Sequence, residues 1–374
     1  MYTRIYGDVQ KLLKKGKVII IYGPRRVGKT TLIQNFIQNT KIRCKFVSGD
    51  TIQTKNVFSS QSLETIGKFI EGYDLLAIDE AQRIPNVGIG LKILVDAFPE
   101  MYVIITGSAS LELSYKVGEP LVGRAFTYRL YPLWIGELSE GKNAYELSNE
   151  KEARMIYGSY PEVLGAKTDR ERTQILEEYV SSYLFKEIID IEQIHNTKLI
   201  LDLLKLIAFQ IGNEVSLTEL GRSLGIDRKT VQRYLTLFEQ SFILYNVRGY
   251  SRNLRKEVIK KSKYYFLDTG IRNAVIRNFN ALDTRNDVGQ IWENYLLSER
   301  LKKQEYRRIY SSNYFWRTWE GQEIDWVEER DGTQFGFGLK WGDKKVNVPT
   351  QWADTYKNSH FQVVNQQNYL EFIR

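Results

Sequence analysis

Continuous apolar runs mark the first third of the chain: Val18-Ile19-Ile20-Ile21-Tyr22, Leu75-Leu76-Ala77-Ile78 and Tyr102-Val103-Ile104-Ile105. Short β-branched runs that end in glycine or polar residues predict strands buried on both faces, as in a parallel sheet. The first run stops at a Gly-rich turn, and Thr30 to Gln38 then reads as a helix. Phe126 to Leu130 is a further strand candidate, ended by Pro132. Later the period changes. Between Arg170 and Ile191 the apolar positions Ile175, Tyr179, Val180, Tyr183, Leu184 and Ile188 recur with helical spacing. Ser216 to Leu224 opens with a Ser-x-x-Glu capping box, Gly225-Ile226 makes a turn, and Asp227 caps a second helix from Arg228 to Gln240. In that helix Val231, Tyr234, Leu235 and Phe238 form the inward face. Two strands, Phe242 to Val247 and Lys263 to Leu267, flank a basic stretch. The C-terminal part reads as a helix from Gly289, then strands at Phe315 to Trp319, Glu323 to Val327 and Gly336 to Trp341. The fold class is α/β, in segments 1–135, 136–195, 196–280 and 281–374.

Composition narrows the functional classes. A chain of 374 residues with 43% hydrophobic and 26% charged residues is long enough for two or three domains and is not compositionally disordered. No run of eighteen apolar residues is present, and Met1-Tyr2-Thr3-Arg4 lacks the layout of a secretion signal, so a cytoplasmic protein without membrane contact is expected. With Cys44 the single cysteine and His195 and His360 the two histidines, a disulfide framework or a Cys/His zinc site is excluded within one chain. Any metal would have oxygen ligands, which points to magnesium or manganese. The formal charge is +8, and between Ser216 and Tyr264 eleven Lys and Arg face four acids. A basic cluster of this kind favours a polyanionic partner.

The first run leads directly into Gly23-Pro24-Arg25-Arg26-Val27-Gly28-Lys29-Thr30, followed by Thr31. In such a strand–loop–helix context the glycines let backbone N–H groups close around phosphates. Lys29 reaches the β/γ-phosphates of ATP, and the Thr30 hydroxyl ligates Mg2+. Asp79-Glu80, at the end of the second run, supplies the complement: Asp79 for magnesium, Glu80 to polarise water. Thr106 or Ser108 at the end of the third run is placed to contact the γ-phosphate or the lytic water. Arg124, in Leu121-Val122-Gly123-Arg124, has two open readings: an arginine finger acting on a neighbouring subunit, or a surface arginine. Arg172 is read as a solvated helix residue or a lid arginine, and His195 as structural.

The order of these elements resembles the AAA+ branch of P-loop ATPases, in which an additional strand separates the P-loop strand from the acidic one. That resemblance implies a γ-phosphate sensor after the third strand and a helical lid over 136–195. Helix, glycine turn, helix and two strands over 196–280 read as a winged helix. Arg228, Lys229, Thr230, Gln232 and Arg233 on its second helix, with Arg252, Arg255, Lys256, Lys260 and Lys261 in the wing, are the candidate DNA contacts. A helix with Glu293, a strand with Asp325 and a strand ending in Lys340 resemble the restriction-endonuclease-like PD-(D/E)xK fold. There acids hold a metal ion, here a possible second site at Glu293 and Asp325, and lysine orients water. The second acid of that pattern would stand two residues before Lys340, where this chain has Gly338, so the domain is expected to be degenerate.

Taken together, Gly23 to Thr30, Leu75 to Glu80, Thr106-Gly107-Ser108, Gly123-Arg124, Tyr160-Pro161-Glu162, Trp292-Glu293-Asn294, Trp316-Arg317 and Glu323-Ile324-Asp325 resemble a widespread prokaryotic family along the whole chain. Its members join an AAA-type ATPase domain, a winged helix and a restriction-endonuclease-like domain. The resemblance implies ATP hydrolysis and DNA transactions by a homo-oligomer. Three functions remain open: a DNA motor or remodeller, with branched DNA such as a Holliday junction as substrate; an ATP-gated magnesium-dependent nuclease; and a nucleotide switch in regulation or phage defence.

Overall fold

The computed structural model describes residues 2–107, 120–184, 196–250, 262–342 and 347–374. The chain divides into two compact units. The first takes in Met1–Leu133 and Gln240–Phe242; the second takes in Trp134–Phe185, Ile194–Glu239 and Ile243–Arg374.

The first unit is built on five parallel strands: β1 (Val18–Tyr22), β2 (Cys44–Ser48), β3 (Leu75–Asp79), β4 (Tyr102–Gly107) and β5 (Ala125–Arg129), in the order β2-β3-β4-β1-β5. The three apolar runs form the middle of this sheet, which is why they carry no polar alternation. Strand β4 lies between β1 and β3, the interposed strand anticipated from the order of the motifs. Four helices follow: α1 (Lys29–Asn39), α2 (Ile52–Ser59), α3 (Leu63–Ile70) and α4 (Val87–Ala97). Leu91, Leu94 and Val95 of α4, with Phe58 and Ile66, pack on Val18, Ile20, Leu76, Ile78, Val103 and Ile105. Parallel registry brings the C-terminal strand ends to one edge, pairing Tyr22 with Gly107 and Ser48 with Asp79.

In the second unit short helices Ile135–Leu138 and Ala144–Asn149 precede α5 (Lys151–Tyr157), α6 (Pro161–Gly165) and α7 (Asp169–Glu178). The long helix expected from Arg170 is α-helical only to Glu178 and continues as a π turn over Tyr179–Leu184. Helices α8 (Thr197–Phe209), α9 (Leu217–Leu224) and α10 (Arg228–Gln240) come next, then β6 (Leu244–Gly249), β7 (Ser262–Phe266), α11 (Thr269–Ile276) and α12 (Val288–Tyr306). The chain ends with β8 (Ser312–Arg317), β9 (Glu323–Arg330), β10 (Thr333–Leu339), α13 (Thr350–Thr355), β11 (Ser359–Val364) and α14 (Tyr369–Ile373).

The two helices expected over this segment are α9 and α10, separated by Gly225 in the left-handed conformation. The Asp227 carboxylate accepts from the backbone N–H groups of Lys229 and Thr230, a full N-cap. The two strands after it do not form an isolated wing. They pair antiparallel with each other, and β6 also pairs parallel with β8, giving a six-stranded sheet in the order β11-β10-β9-β8-β6-β7. This sheet runs across residue 280, where a domain boundary was expected, because the second edge of β6 is satisfied by β8 and by Tyr250 N–H donating to the Phe315 carbonyl (2.7 Å). Asn294 of α12 fixes the helix to the sheet edge, its side chain bonding both the N–H and the carbonyl of Phe266.

Candidate functional site

The loop between β1 and α1 is shaped by its glycines. Gly23 (φ 158°) lies so close to β5 that a Cβ there would stand 2.0 Å from the Leu130 carbonyl oxygen. Gly28 (φ 92°) is the left-handed N-cap of α1 and faces open space. Lys29 is buried, and its ammonium donates to the carbonyls of Gly23 (2.8 Å) and Pro24 (2.7 Å), so the lysine is held inside the loop it serves. Val27 is buried, Arg26 is exposed in the left-handed conformation, and Thr31 is exposed on the first turn of α1.

Sequence-distant oxygens converge beside this loop. The Thr30 hydroxyl lies 3.0 and 2.9 Å from the two carboxylate oxygens of Asp79. The Thr106 hydroxyl donates to the same carboxylate and accepts from Glu80 N–H (3.0 Å). Thr106 is fully buried and so ties the acidic pair in place. It is not turned toward solvent, as a γ-phosphate contact would require. Glu80 adopts a left-handed backbone (φ 53°), and its carboxylate accepts from the Gln82 side-chain amide. Gly49 N–H donates to the Asp79 carbonyl (2.7 Å), and a Cβ at Gly49 would come within 2.4 Å of the Glu80 carbonyl, fixing the turn from the β2 side.

A nucleotide triphosphate with a hard metal ion fits this donor set. Thr30 and Asp79 offer oxygen ligands, Lys29 offers a buried ammonium, and the open space over Gly28 leaves the first N–H groups of α1 accessible. Residues that the sequence did not single out complete the frame. Arg4 donates to the carbonyls of Val27 (2.6 Å) and Tyr131 (2.7 Å), clasping the loop from the N-terminal segment. Arg129, at the end of β5, donates to the hydroxyls of Tyr22 and Tyr131. Neither belongs to a local motif, so nothing in the sequence marks them.

Arg124 sits at the other edge of the sheet, where its carbonyl accepts from Val18 N–H at the start of β1. Its guanidinium is paired with Asp96 at 2.6 Å, an ion pair that is more than a third exposed on both sides. It does not serve the phosphate loop of its own chain; a finger role requires a second subunit. Arg172 pairs with Asp169 (2.9 Å) and covers the Tyr157 ring.

In the second unit Arg228, Lys229, Gln232 and Arg233 are exposed along α10. Thr230 is half-buried, and its hydroxyl donates to Asp227 (2.6 Å) as part of the helix cap. Arg252, Arg255, Lys256, Lys260 and Lys261, together with Ser108 and His195, lie outside the described residues.

The Glu293, Asp325 and Lys340 set is drawn together around a residue not anticipated there. Lys340 bonds Asp325 (2.9 Å), whose carboxylate also accepts from Leu339 N–H (2.7 Å). Lys263, counted in the charge of the segment from Ser216 to Tyr264 and read as the first residue of the second strand there, is buried. It bonds Glu323 and stands 4.0 Å from Glu293. Tyr265 donates to Glu293. Burial pushes the Glu293 carboxyl up to about 7, opposed by Lys263 and assisted by Asp325. Among the described residues no group of three or more His, Cys, Asp and Glu side chains could hold a metal ion. At Gly338 an added Cβ would meet the Phe361 ring at 3.3 Å, so an aromatic ring borders the position where the pattern would place its second acid.

Residues 15–139 match the AAA domain family. The first unit is a P-loop ATPase domain of the AAA type. Residues 149–282 and 288–367 match two families described as domains of unknown function, DUF8612 and DUF4143. An uncharacterized protein of Mycobacterium tuberculosis is 25% identical over 338 residues, covering 89% of this chain and 72% of the relative. An uncharacterized protein of Methanocaldococcus jannaschii is 24% identical over 342 residues, covering 86% and 74%. Among solved structures, the FIGL-1 AAA domain in complex with ADP is 12% identical and covers 63% of this chain and 83% of its own, with a TM-score of 0.28, too low to support inference. Among the described residues no helix is long and apolar enough to cross a membrane.

Proposed function

We propose that the protein is a magnesium-dependent ATPase that acts as a homo-oligomer and couples hydrolysis to its hold on DNA, branched DNA included. The observation that carries the ATPase reading is the contact between the Thr30 hydroxyl and both oxygens of Asp79, which unites the two halves of a metal–phosphate site from positions 49 residues apart. ATP with Mg2+ supplies the phosphoanhydride and the Lewis acid. Thr30 and Asp79 hold the metal, Lys29 and the N–H groups at the start of α1 hold phosphate oxygens, and Glu80 orients the attacking water. The tie from Thr106 to Asp79 and Glu80 keeps these two acids fixed relative to each other.

The DNA reading is supported by the exposed row Arg228, Lys229, Gln232 and Arg233 on the second helix of a helix–turn–helix. The test is steady-state ATPase with duplex, forked and four-way DNA. Lys29→Ala is expected to lower turnover by on the order of 10²-fold or more, because the developing phosphate charge loses its main counter-ion. Four-way or forked DNA is expected to stimulate turnover more than duplex. Arg228→Ala with Arg233→Ala is expected to weaken binding and flatten its salt dependence by roughly one log unit per lost phosphate contact. Turnover that responds to no DNA would sink the coupling and favour a nucleotide switch.

For Arg124, the trans role makes a specific demand. Arg124→Ala and Lys29→Ala proteins, each inactive, should regain activity when mixed, since one subunit then offers an intact loop and its neighbour an intact finger. Absence of complementation would return Arg124 to its surface pair with Asp96.

A further inference from the structure

Helix α10 is closed at its C-terminal end by an unusual residue. Ile243 N–H donates to the Phe238 carbonyl (2.9 Å), a wide turn in which the residue before the donor takes a left-handed backbone. That position most often holds glycine, which has no Cβ to strain; here it holds Phe242, at φ 58°. A phenylalanine kept in a conformation that disfavours side chains points to a use for its ring. The residue is 7% exposed. It packs within the first unit, in which Gln240–Phe242 lie although Phe238 and Ile243 on either side belong to the second.

Tyr22 and Tyr131 meet the Phe242 ring, with ring centres 5.7 and 6.4 Å away, the second edge-on. The Arg129 guanidinium lies 5.9 Å from the centre of the same ring and ties the two tyrosines together, donating to the hydroxyls of Tyr22 (2.9 Å) and Tyr131 (3.1 Å). Both tyrosines bear on the phosphate loop. Tyr22 immediately precedes Gly23, and the Tyr131 carbonyl accepts from Arg4, which also holds the Val27 carbonyl inside the loop. The ring therefore touches the root of the loop directly and its far end through Arg4. The forces at that root depend on Lys29, whose ammonium donates to the carbonyls of Gly23 and Pro24, one and two residues beyond Tyr22. Phosphate oxygens compete for the same ammonium, so a bound triphosphate redistributes the bonds beside Tyr22.

We propose that Phe242 is a positioning residue for the phosphate loop and the covalent link through which nucleotide occupancy acts on α10, the helix that carries Arg228, Lys229, Gln232 and Arg233. The proposal rests on the ATPase reading of the loop and not on DNA binding. One residue supplies both the ring that leans on Tyr22 and Tyr131 and the left-handed cap that ends α10, so displacing the ring also strains the cap. By reciprocity, whatever steadies α10 changes the affinity of the loop for nucleotide by the same factor.

The test uses the full chain with Mg2+ and a non-hydrolysable ATP analogue. Calorimetry reports binding, amide hydrogen exchange reports on α10, and steady-state turnover with ATP separates KM from kcat. In the parent the analogue should change exchange in the last turns of α10. Phe242→Gly suits the left-handed cap and removes the ring. It should raise KM by about tenfold, within the usual range for coupled sites, with a much smaller effect on kcat, and should abolish the response of α10. Phe242→Tyr, which keeps the ring, should retain the parental KM and response. Arg129→Gln unties the two tyrosines without touching the cap; it should shift KM and the α10 response in the same direction, and decides the matter where Phe242→Gly fails to fold. A parent that binds no analogue overturns the ATPase reading and this proposal with it. A parent that binds it with α10 unchanged overturns this proposal alone. So does a folded Phe242→Gly or Arg129→Gln protein with parental KM and response, or a Phe242→Tyr protein as impaired as Phe242→Gly.

Discussion

Gly23 and Gly28 look interchangeable in the motif, yet the structure separates them. At Gly23 any side chain would strike the Leu130 carbonyl, whereas at Gly28 only the left-handed backbone resists substitution. Gly28→Ala is therefore expected to cost about 1 to 2 kcal/mol of local strain and leave measurable ATP binding. Gly23→Ala should displace the loop from β5 and abolish binding; calorimetry on both variants distinguishes them, and equal losses would refute the clash. Thr106 makes a second case. If it ties Asp79 to Glu80, Thr106→Val should lower kcat with little change in KM and Thr106→Ser should restore it. A selective rise in KM would instead favour contact with the nucleotide. Lys29, Thr30, Asp79 and Glu80 were legible in the sequence because each belongs to a contiguous motif whose strand context confirms it. Arg4, Arg129 and Lys263 were not, since each has a partner between 60 and 127 residues away and a lone basic residue reads the same on a surface as in a core.

At the scale of elements, the buried central strands of the first sheet were legible, as were the edge strands β5 and β7, whereas the edge strands β2 and β11 were not. β1, β3 and β4 announce themselves as apolar runs; β2, half-exposed along its length, and β11, alternating about the surface, carry Lys45, Ser48, His360 and Gln362 and offer no such run. The pair β6 and β7 reads locally as a hairpin, and only β8, more than sixty residues on, turns it into part of a larger sheet. Non-local pairing of this kind leaves no periodic trace. The caps were the most faithful signals: Ser216 accepts from Glu219 N–H, and Asp227 from two N–H groups. Asp227→Ala should therefore cost about 1 kcal/mol of stability. It should also lower DNA affinity through disorder at Arg228 and Lys229, whereas Asp227→Asn should retain most of both. Urea midpoints and fluorescence anisotropy report the two quantities, and an Asp227→Ala protein as stable as its parent would deny the cap its role.

For the whole molecule, the buried charges of the second unit set how stability responds to pH. Burial raises Glu239 from 4.5 to about 6 and Glu293 from 4.5 to about 7. A carboxyl raised in the folded state contributes fully below its ordinary value, and that contribution is lost as pH climbs through the raised one. Asp287 behaves oppositely: although burial raises it, bonds from Arg285 and Arg272 dominate and bring it from 3.8 down to about 2, so its contribution is lost as pH falls through that interval. Together these groups give a stability maximum near pH 4 to 4.5 for their own share, with a decline toward pH 7. Glu239→Gln isolates the declining limb, because the amide keeps the shape of the protonated acid and cannot ionise. A rise from 4.5 to about 6 corresponds to up to about 2 kcal/mol of stability. Glu239→Gln is thus expected to be more stable than the parent by up to that amount at pH 7 and indistinguishable from it at pH 4, where Glu239 is protonated whether folded or unfolded. Urea unfolding at the two pH values measures the difference. A variant equally shifted at both would mean that lost contacts, for instance with Asn246 or Arg248, and not ionisation, govern this position.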